Sequence, residues 1–392
     1  MRTLAVFHIA ETSGPSKTLF PSLERLAARG SLEAVVPVPG GGVLPGTVAA
    51  DYAGFATVSA LPYATLMVPR TLGALVREPA RCYREVTAFR RHFRTVAPDL
   101  VVVATGVLPT ALIAARLESI PTIVRVAEIF EKGHVGGIGR RVGSRALLAL
   151  LQRTADAIVC SSEQIAAQFR APVTTIWPGI DPVHGDGDGA RLRATLGVTA
   201  TDPLIAVVGN ITEARGQDLA IAALVDVRRR HRSARLLIAG AAHDRPADAA
   251  YAERLHDLAE AEQLADAVLF GGFIGEVADV YAAADVLLNP ARFNEPFGRV
   301  ALEGLLAGCP VVSTRVGAIP SVLRADDDAL LVPPEDPAAI AAALTRLLDD
   351  RELAAQMAER GRARVLRDFG TQRVADEFEQ VARSITPVTA WE

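Results

Sequence analysis

Lysine is almost missing from this 392-residue chain: Lys17 and Lys132 are the only two among 41 basic residues. Any role that lysine holds elsewhere falls here to arginine, whose charge is permanent and whose planar fork offers more donors. The second half contains no lysine at all. A pyridoxal Schiff base therefore cannot form there, which excludes phosphorylase chemistry built on that cofactor. Cysteine is scarce too. Cys82, Cys160 and Cys309 stand alone, without a pairing pattern or metal-ligand spacing, which implies a reducing compartment and no zinc site. Asp186-Gly187-Asp188 mimics a metal-binding Asp-x-Asp but has no strand before it, and Asp326-Asp327-Asp328 reads as a loop. No metal and no cofactor is implied. No intact Gly-x-Gly-x-x-Gly follows a strand, which counts against an NAD-dependent dehydrogenase. The opening residues, MRTLAVFHIAETSG, are too short an apolar run for a signal peptide or membrane span, so a cytoplasmic protein is expected.

What is present is a large core. Apolar residues make up 50% of the chain and charged residues 22%, as in soluble globular proteins. The length is too great for one ordinary core and predicts two domains. The net charge of −4 hides an asymmetry, because residues 1–185 carry 19 basic and 13 acidic residues, against 22 and 32 in the remainder. Only the first half is suited to an anionic partner. Arg77, Arg81, Arg84, Arg90, Arg91 and Arg94 crowd one predicted helix, residues 70–95, with Glu78 and Glu85 as its acids. That helix is either a solvated face or a peripheral contact with anionic lipid at the inner face of a membrane, or with an anionic acceptor. Nucleic acid is not implied.

Strands and helices alternate in both halves. Strands are predicted at residues 4–9, 100–103, 122–126, 157–160 and 173–176, with helices at 17–29, 70–95, 108–117, 140–153 and 163–170. A second series of strands is predicted at 204–208, 235–239, 268–270, 285–288, 310–313 and 329–332. Helices over 337–348, 351–366 and 371–385 follow. Alternation at these lengths argues for parallel sheets covered on both faces. The turn-rich residues 181–189 read as a linker. The expected organisation is an N-terminal Rossmann-like domain over 1–185 and a C-terminal one over 186–368. A last helix, within 369–392, packs back on the first domain. The two domains are expected to face each other across a cleft.

The most informative stretch is residues 289–314, NPARFNEPFGRVALEGLLAGCPVVST. It places Glu295 on a Pro/Gly loop and Glu303 inside the helix that follows, between two apolar strands. Ligands of such βαβ units sit beyond the strand ends, beside helix N-termini. Within Pro296-Phe297-Gly298, free N–H groups of Phe297 and Gly298 at that N-terminus favour phosphate. The bland reading is a pair of surface acids near a helix start. Against it, Glu303 lies in an apolar run, where a carboxylate needs a partner. Two acids flanking a phosphate seat suit hydroxyls on both sides of a diphosphate, as in a nucleotide sugar. Two further loops follow strands and precede helices: residues 209–216, and residues 11–17 with Ser13, Gly14 and Lys17. A glycine there lets backbone approach a phosphate, and for the second loop a donor- or acceptor-facing role is favoured by its position over a plain loop with Ser16 as helix cap.

The 289–314 stretch resembles the signature of family 4 glycosyltransferases, retaining enzymes of the GT-B fold that use nucleotide-sugar donors. Val207-Val208-Gly209-Asn210 with Arg215-Gly216-Gln217-Asp218-Leu219 also resembles that family. So do Leu236-Leu237-Ile238-Ala239-Gly240, Phe270-Gly271-Gly272-Phe273-Ile274 and Ile176-Trp177-Pro178-Gly179-Ile180-Asp181. The resemblance implies that Glu295 contacts the sugar hydroxyls and Glu303 the ribose. The Phe297 and Gly298 amides then hold the β-phosphate, and the Ile274 backbone reads the base. Gly14, Gly209, Gly240 and Arg215 join them on the donor side, with Glu295 and Arg215 as the catalytic pair. The donor implied is a UDP- or GDP-sugar, and the acceptor a sugar, a lipid-linked saccharide or a small molecule.

Two departures stand out. Asn210 takes the place of an expected arginine, so the diphosphate clamp is one cation short, and Arg299 or Arg292 is left to compensate. Ala127 takes the place of a histidine that contacts the sugar, leaving Arg125, Glu128 or His134 to shape the acceptor side. A nucleotide-sugar 2-epimerase of the same plan, or a catalytically weak nucleotide-sugar-binding protein, are the alternatives.

Overall fold

The computed structural model describes residues 1–8, 10, 14–37, 47–63, 72–130, 138–181, 187–242 and 245–391. The chain divides into two compact units, Met1–Gly179 with Thr371–Glu392, and Ile180–Gly370. The division thus falls between residues 179 and 180, against the 185/186 boundary expected. Residues 182–186 of the expected linker lie outside the described residues, while Asp188 caps the next helix by accepting a hydrogen bond from Arg191 N at 2.9 Å.

The first unit runs β1 (Arg2–Val6), α1 (Gly14–Ala27), β2 (Ser31–Pro37), α2 (Val48–Tyr52), β3 (Thr57–Leu61), α3 (Leu72–Val96), β4 (Leu100–Val103), α4 (Pro109–Leu117), β5 (Thr122–Val126), α5 (Ile138–Thr154), β6 (Ala157–Cys160), α6 (Glu163–Ala166) and β7 (Thr174–Thr175). The strands form one parallel sheet in the order β3-β2-β1-β4-β5-β6-β7. Val101, Val103 and Val124 pack on one face against α3 and α4, and Leu100, Val102 and Ile123 on the other against α1. Burial on both faces explains why LVVV and TIVRV are unbroken apolar runs apart from one arginine.

Five strands were expected here and seven are present among the described residues. The two extra ones, β2 and β3, occupy one side of the sheet, and β3 is an edge strand with residues 57, 58 and 60 exposed. An edge strand with one wet face need not be apolar, so its pattern is weak. β1 also stops at Val6, short of the expected residue 9.

The second unit runs α7 (Gly189–Thr195), β8 (Leu204–Val208), α8 (Gln217–Arg230), β9 (Arg235–Ala239), α9 (Pro246–Ala261), β10 (Val268–Gly272), α10 (Val277–Ala283), β11 (Val286–Asn289), α11 (Arg299–Leu306), β12 (Val311–Thr314), α12 (Ile319–Val322), β13 (Leu330–Val332), α13 (Pro337–Asp349) and α14 (Arg351–Phe369). Its parallel sheet has the order β10-β9-β8-β11-β12-β13. The order reverses direction between β8 and β11, and the crevice beyond those strand ends is where ligands of such sheets bind. Asp336 and Asp350 cap α13 and α14 through Ala339 N and Leu353 N, each at 2.9 Å. Such caps satisfy amides that lack a partner in the first turn.

The last helix, α15 (Thr371–Ile385), belongs to the first unit. Val374, Phe378 and Ala382 bury its apolar stripe in the core beneath α1. Asp376 pairs with Arg25, and Glu379 with Arg29 at 3.2 Å. Among the described residues, no helix is long and apolar enough to cross a membrane.

Candidate functional site

β11 and α11 are joined by residues 290–298, which hold the centre of the site. Gly298 caps α11 at φ 80°, in the left-handed region that favours glycine. A side chain there would also meet Ile319 Cδ1 at 2.5 Å. The loop is pinned from behind, where Ala318 N donates to the Glu295 carbonyl at 2.7 Å.

Glu295 is only 8% exposed, and its carboxylate turns inward. Gly298 N donates to its Oε1 at 3.3 Å, and Arg215 Nη1 to its Oε2 at 3.4 Å. Burial raises its pKa above the ordinary carboxylate value. Arg215 and the Gly298 and Phe297 amides oppose that rise without cancelling it.

Arg215 ends the short turn Glu213–Arg215 between β8 and α8. Its guanidinium lies over the Phe293 ring, 5.1 Å from the centroid, and beside Gly209. The loops after β8 and β9 meet at Gly240, where an added Cβ would stand 1.9 Å from the Gly209 carbonyl oxygen. Gly240 therefore serves close backbone contact between neighbouring strand ends, while Gly209 holds φ at 132°. Asn210 is exposed, and its carbonyl accepts from Gln217 Nε2 at 3.0 Å.

Glu303 lies one turn inside α11 and has two partners of its own. Tyr281 Oη donates at 3.0 Å and Arg299 Nε at 2.6 Å. Burial and then Glu303 push the Tyr281 hydroxyl far above the usual phenol range, so it stays a donor. The two candidate cations left open by the sequence are now distinguished. Arg292 grips both oxygens of Asp218, at 2.6 and 2.7 Å, and also Glu335 at 2.6 Å. It braces the loop to α8. Among the described residues Arg299 is bound through one nitrogen only, and half of its side chain is exposed.

The Phe297 side chain is buried edge-on against Phe369, ring centroids 5.7 Å apart, and its backbone amide bonds the Glu295 carboxylate. Ile274 is half-buried after β10, beside Phe273, which is 83% exposed.

The first unit gathers a different set beyond β1, β4 and β5. Glu128 accepts from Thr105 Oγ1, from Ala127 N at 3.0 Å and from Gly106 N at 3.5 Å. Arg125 is 4% exposed within β5, and its Nη1 has no hydrogen-bond partner among the described residues. Burial lowers its pKa to about 10 against the opposing pull of Glu128. It is a cation sunk in the sheet.

His8, which no motif in the sequence marks, stands just past β1; its Nδ1 has no partner among the described residues, and its pKa is lowered by burial and raised in part by Glu128. Its signal was available: a lone polar side chain at the end of an apolar strand. Gly14 begins α1, whereas Ser13, the Lys17 side chain and His134 lie outside the described residues. Ser162 caps α6 through Ile165 N at 3.3 Å. Asp326 pairs with Arg346, Asp327 with Arg360 and Asp328 with Arg364, so the acidic run is a set of braces. Among the described residues, no group of three or more His, Cys, Asp or Glu could hold a metal ion.

The two parallel Rossmann-like sheets define the GT-B fold. The whole chain superposes on Anabaena Alr3699/HepE in complex with UDP, covering 98% of this chain and 100% of that one, with a TM-score of 0.80 at 19% identity. The complex of the same protein with UDP-glucose matches with a TM-score of 0.76 at 20% identity over the same shares. Residues 189–364 match the profile of the family described as Glycosyl transferases group 1. The chain is 31% identical over 230 residues to D-inositol 3-phosphate glycosyltransferase of Acidothermus cellulolyticus, covering 56% of this chain and 50% of that protein. It is 28% identical over 242 residues to the lipopolysaccharide core biosynthesis mannosyltransferase LpsB of Rhizobium meliloti, covering 61% and 66%. The chain thus spans about half to two thirds of the length of these curated relatives. The family profile falls within the second unit, which also holds Glu295, Glu303 and Arg215.

Proposed function

We propose that this protein is a retaining glycosyltransferase that moves a sugar from a nucleoside-diphosphate sugar to a hydroxyl of a glycan, lipid-linked or small-molecule acceptor. The observation that carries this reading is the convergence of Arg215, the Gly298 amide and Glu295 at the open N-terminus of α11. Such a place favours an anion, because the N–H groups of the helix start and the helix dipole both point at it. The departing group in glycosyl transfer is an anion whose charge grows in the transition state. Fixed donors aimed at it lower the barrier.

In this reading Arg215 and the Phe297 and Gly298 amides hold the diphosphate without a metal, and Arg299, released from Glu303, supplies the charge that Asn210 does not. Glu295 positions the sugar. Glu303 holds the ribose, and the Ile274 backbone meets the base. UDP is the nucleotide favoured, since the structural neighbour named above is complexed with UDP and UDP-glucose. The first-unit group of His8, Thr105, Arg125 and Glu128 serves the acceptor side.

A thermal-shift screen with UDP, GDP, ADP and their sugar conjugates tests the reading, because a ligand that binds only the folded state raises its apparent stability. At least one nucleotide sugar is expected to raise Tm. No shift with any of them would remove the reading. Incubation with the binding nucleotide sugar and no acceptor is expected to leave the sugar's configuration unchanged, and interconversion would favour an epimerase.

A further inference from the structure

The anion seat of the second unit already holds an anion, and it is the chain's own. Glu295 Oε1 takes the Gly298 N–H at 3.3 Å, and its Oε2 takes the Arg215 guanidinium at 3.4 Å. These are the donors that a diphosphate entering the site needs. Resting on the reading above, we propose that Glu295 is an internal stand-in for the donor's phosphate. A nucleotide sugar then binds by taking Gly298 N–H and Arg215 from the carboxylate, which accepts a proton from solvent as it is displaced.

The reason is electrostatic. With its own partners in place Glu295 is 8% exposed, and burial already disfavours its charged form. Arg215 is the charged group that acts on it. The neighbouring cations are engaged elsewhere, Arg292 with Asp218 and Glu335, and Arg299 with Glu303. Phe293 covers the other side of Arg215, and the Val316–Ala318 turn carries no charged side chain. Once Arg215 and the Gly298 amide turn to the diphosphate, the carboxylate keeps no counter-charge and gains an anion beside it. Both changes favour the protonated form. The proton moves from solvent to a carboxyl oxygen, and no covalent bond forms. The neutral acid then becomes an O–H donor able to meet a sugar hydroxyl oxygen, a contact that the resting carboxylate could only accept.

Linkage makes this measurable. A ligand that raises the proton affinity of a group is itself bound more weakly as pH rises, by up to about tenfold per pH unit between the free and bound titration points. UDP-glucose is the probe, because its diphosphate diester keeps a fixed charge through this range, whereas free UDP would release its own proton. Calorimetric titration near pH 7 in Pipes and in Tris, buffers of different ionisation enthalpy, counts protons directly. Net uptake is expected in the wild type. Glu295→Gln is expected to show none, to bind with an affinity that is flat from about pH 6 to 8.5, and to bind more tightly than wild type at the alkaline end.

Zero uptake by the wild type, or the same uptake in Glu295→Gln, overturns the proposal while leaving the glycosyltransferase reading intact. The wild-type proton count decides the matter even should the variant fail to fold. If neither UDP-glucose nor any other nucleotide sugar binds, the reading itself falls, and this inference with it.

Discussion

The two units use one architecture to opposite electrostatic ends. In the second unit a cation, Arg215, stands on a turn at the rim of the sheet, partly exposed, against a buried acid. In the first unit the cation, Arg125, is inside the sheet, and the acid near it, Glu128, is held by Thr105 and by backbone N–H groups at the strand ends. A rim cation can change partners when an anion arrives. A sunk cation cannot, and its charge acts by setting the field around Glu128, Tyr52 and Cys160. The lesson is that position relative to the strand ends, more than residue type, divides a binding group from a fixed one.

The sharpest way to break this contrast is at Arg215. Arg215→Ala is expected to lower transfer by about 10²–10³-fold, the usual cost of one lost transition-state donor, with a fold intact by circular dichroism. Near-wild-type turnover would show that Arg215 is a brace like Arg292. Glu295→Ala is expected to be comparably severe for transfer. Next in size is Gly298→Val, which puts a branched side chain at φ 80° and against Ile319. It is expected to cost about 1–3 kcal/mol of stability from backbone strain alone and to abolish the nucleotide-induced Tm shift. A retained shift would mean that the α11 N-terminus is not the anion seat.

Smaller still is Arg125→Met. Its Nη1 makes no hydrogen bond among the described residues, so replacement by an apolar side chain of similar length is expected to change unfolding free energy by less than about 2 kcal/mol, of either sign. A loss of about 3–5 kcal/mol in chemical denaturation would show that the guanidinium is a buried paired charge after all. The smallest effect concerns α3. Arg90 and Arg94 both pair with Glu118, at 2.6 and 2.9 Å, and Arg81 pairs with Glu85. Arg84 and Arg91 remain exposed. Weak co-sedimentation with anionic vesicles, lost in the double variant Arg84→Ala/Arg91→Ala, is the outcome expected if this helix touches lipid. Equal and negligible binding to neutral and anionic vesicles would remove that contact.

Much of the fold was legible in the residues. β4, β5, β6, β8 and β9 start and end where their apolar runs do, because strands buried on both faces admit few polar side chains. β3 escaped because an edge strand with exposed positions has no such run. At the site, the order of Glu295, Gly298 and Glu303 was legible because a loop, a left-handed glycine and a helix start are local features. The partners were not. That Arg292 braces Asp218 across 74 residues, or that Tyr281 rather than solvent satisfies Glu303, depends on which elements lie side by side.

Left to itself, the sequence determined that this chain builds parallel sheets twice, that arginine must supply its working cations, and that one loop-to-helix junction presents N–H groups beside two acids. The periodicity of apolar residues and the conformational limits of glycine act over a few residues, so they can be read without the fold. The tertiary structure alone decided that Glu295 lies on the amide and guanidinium an incoming phosphate would need, and that Arg125 is sunk beyond reach. Burial and charge pairing are properties of space, and they arise only once distant segments have packed.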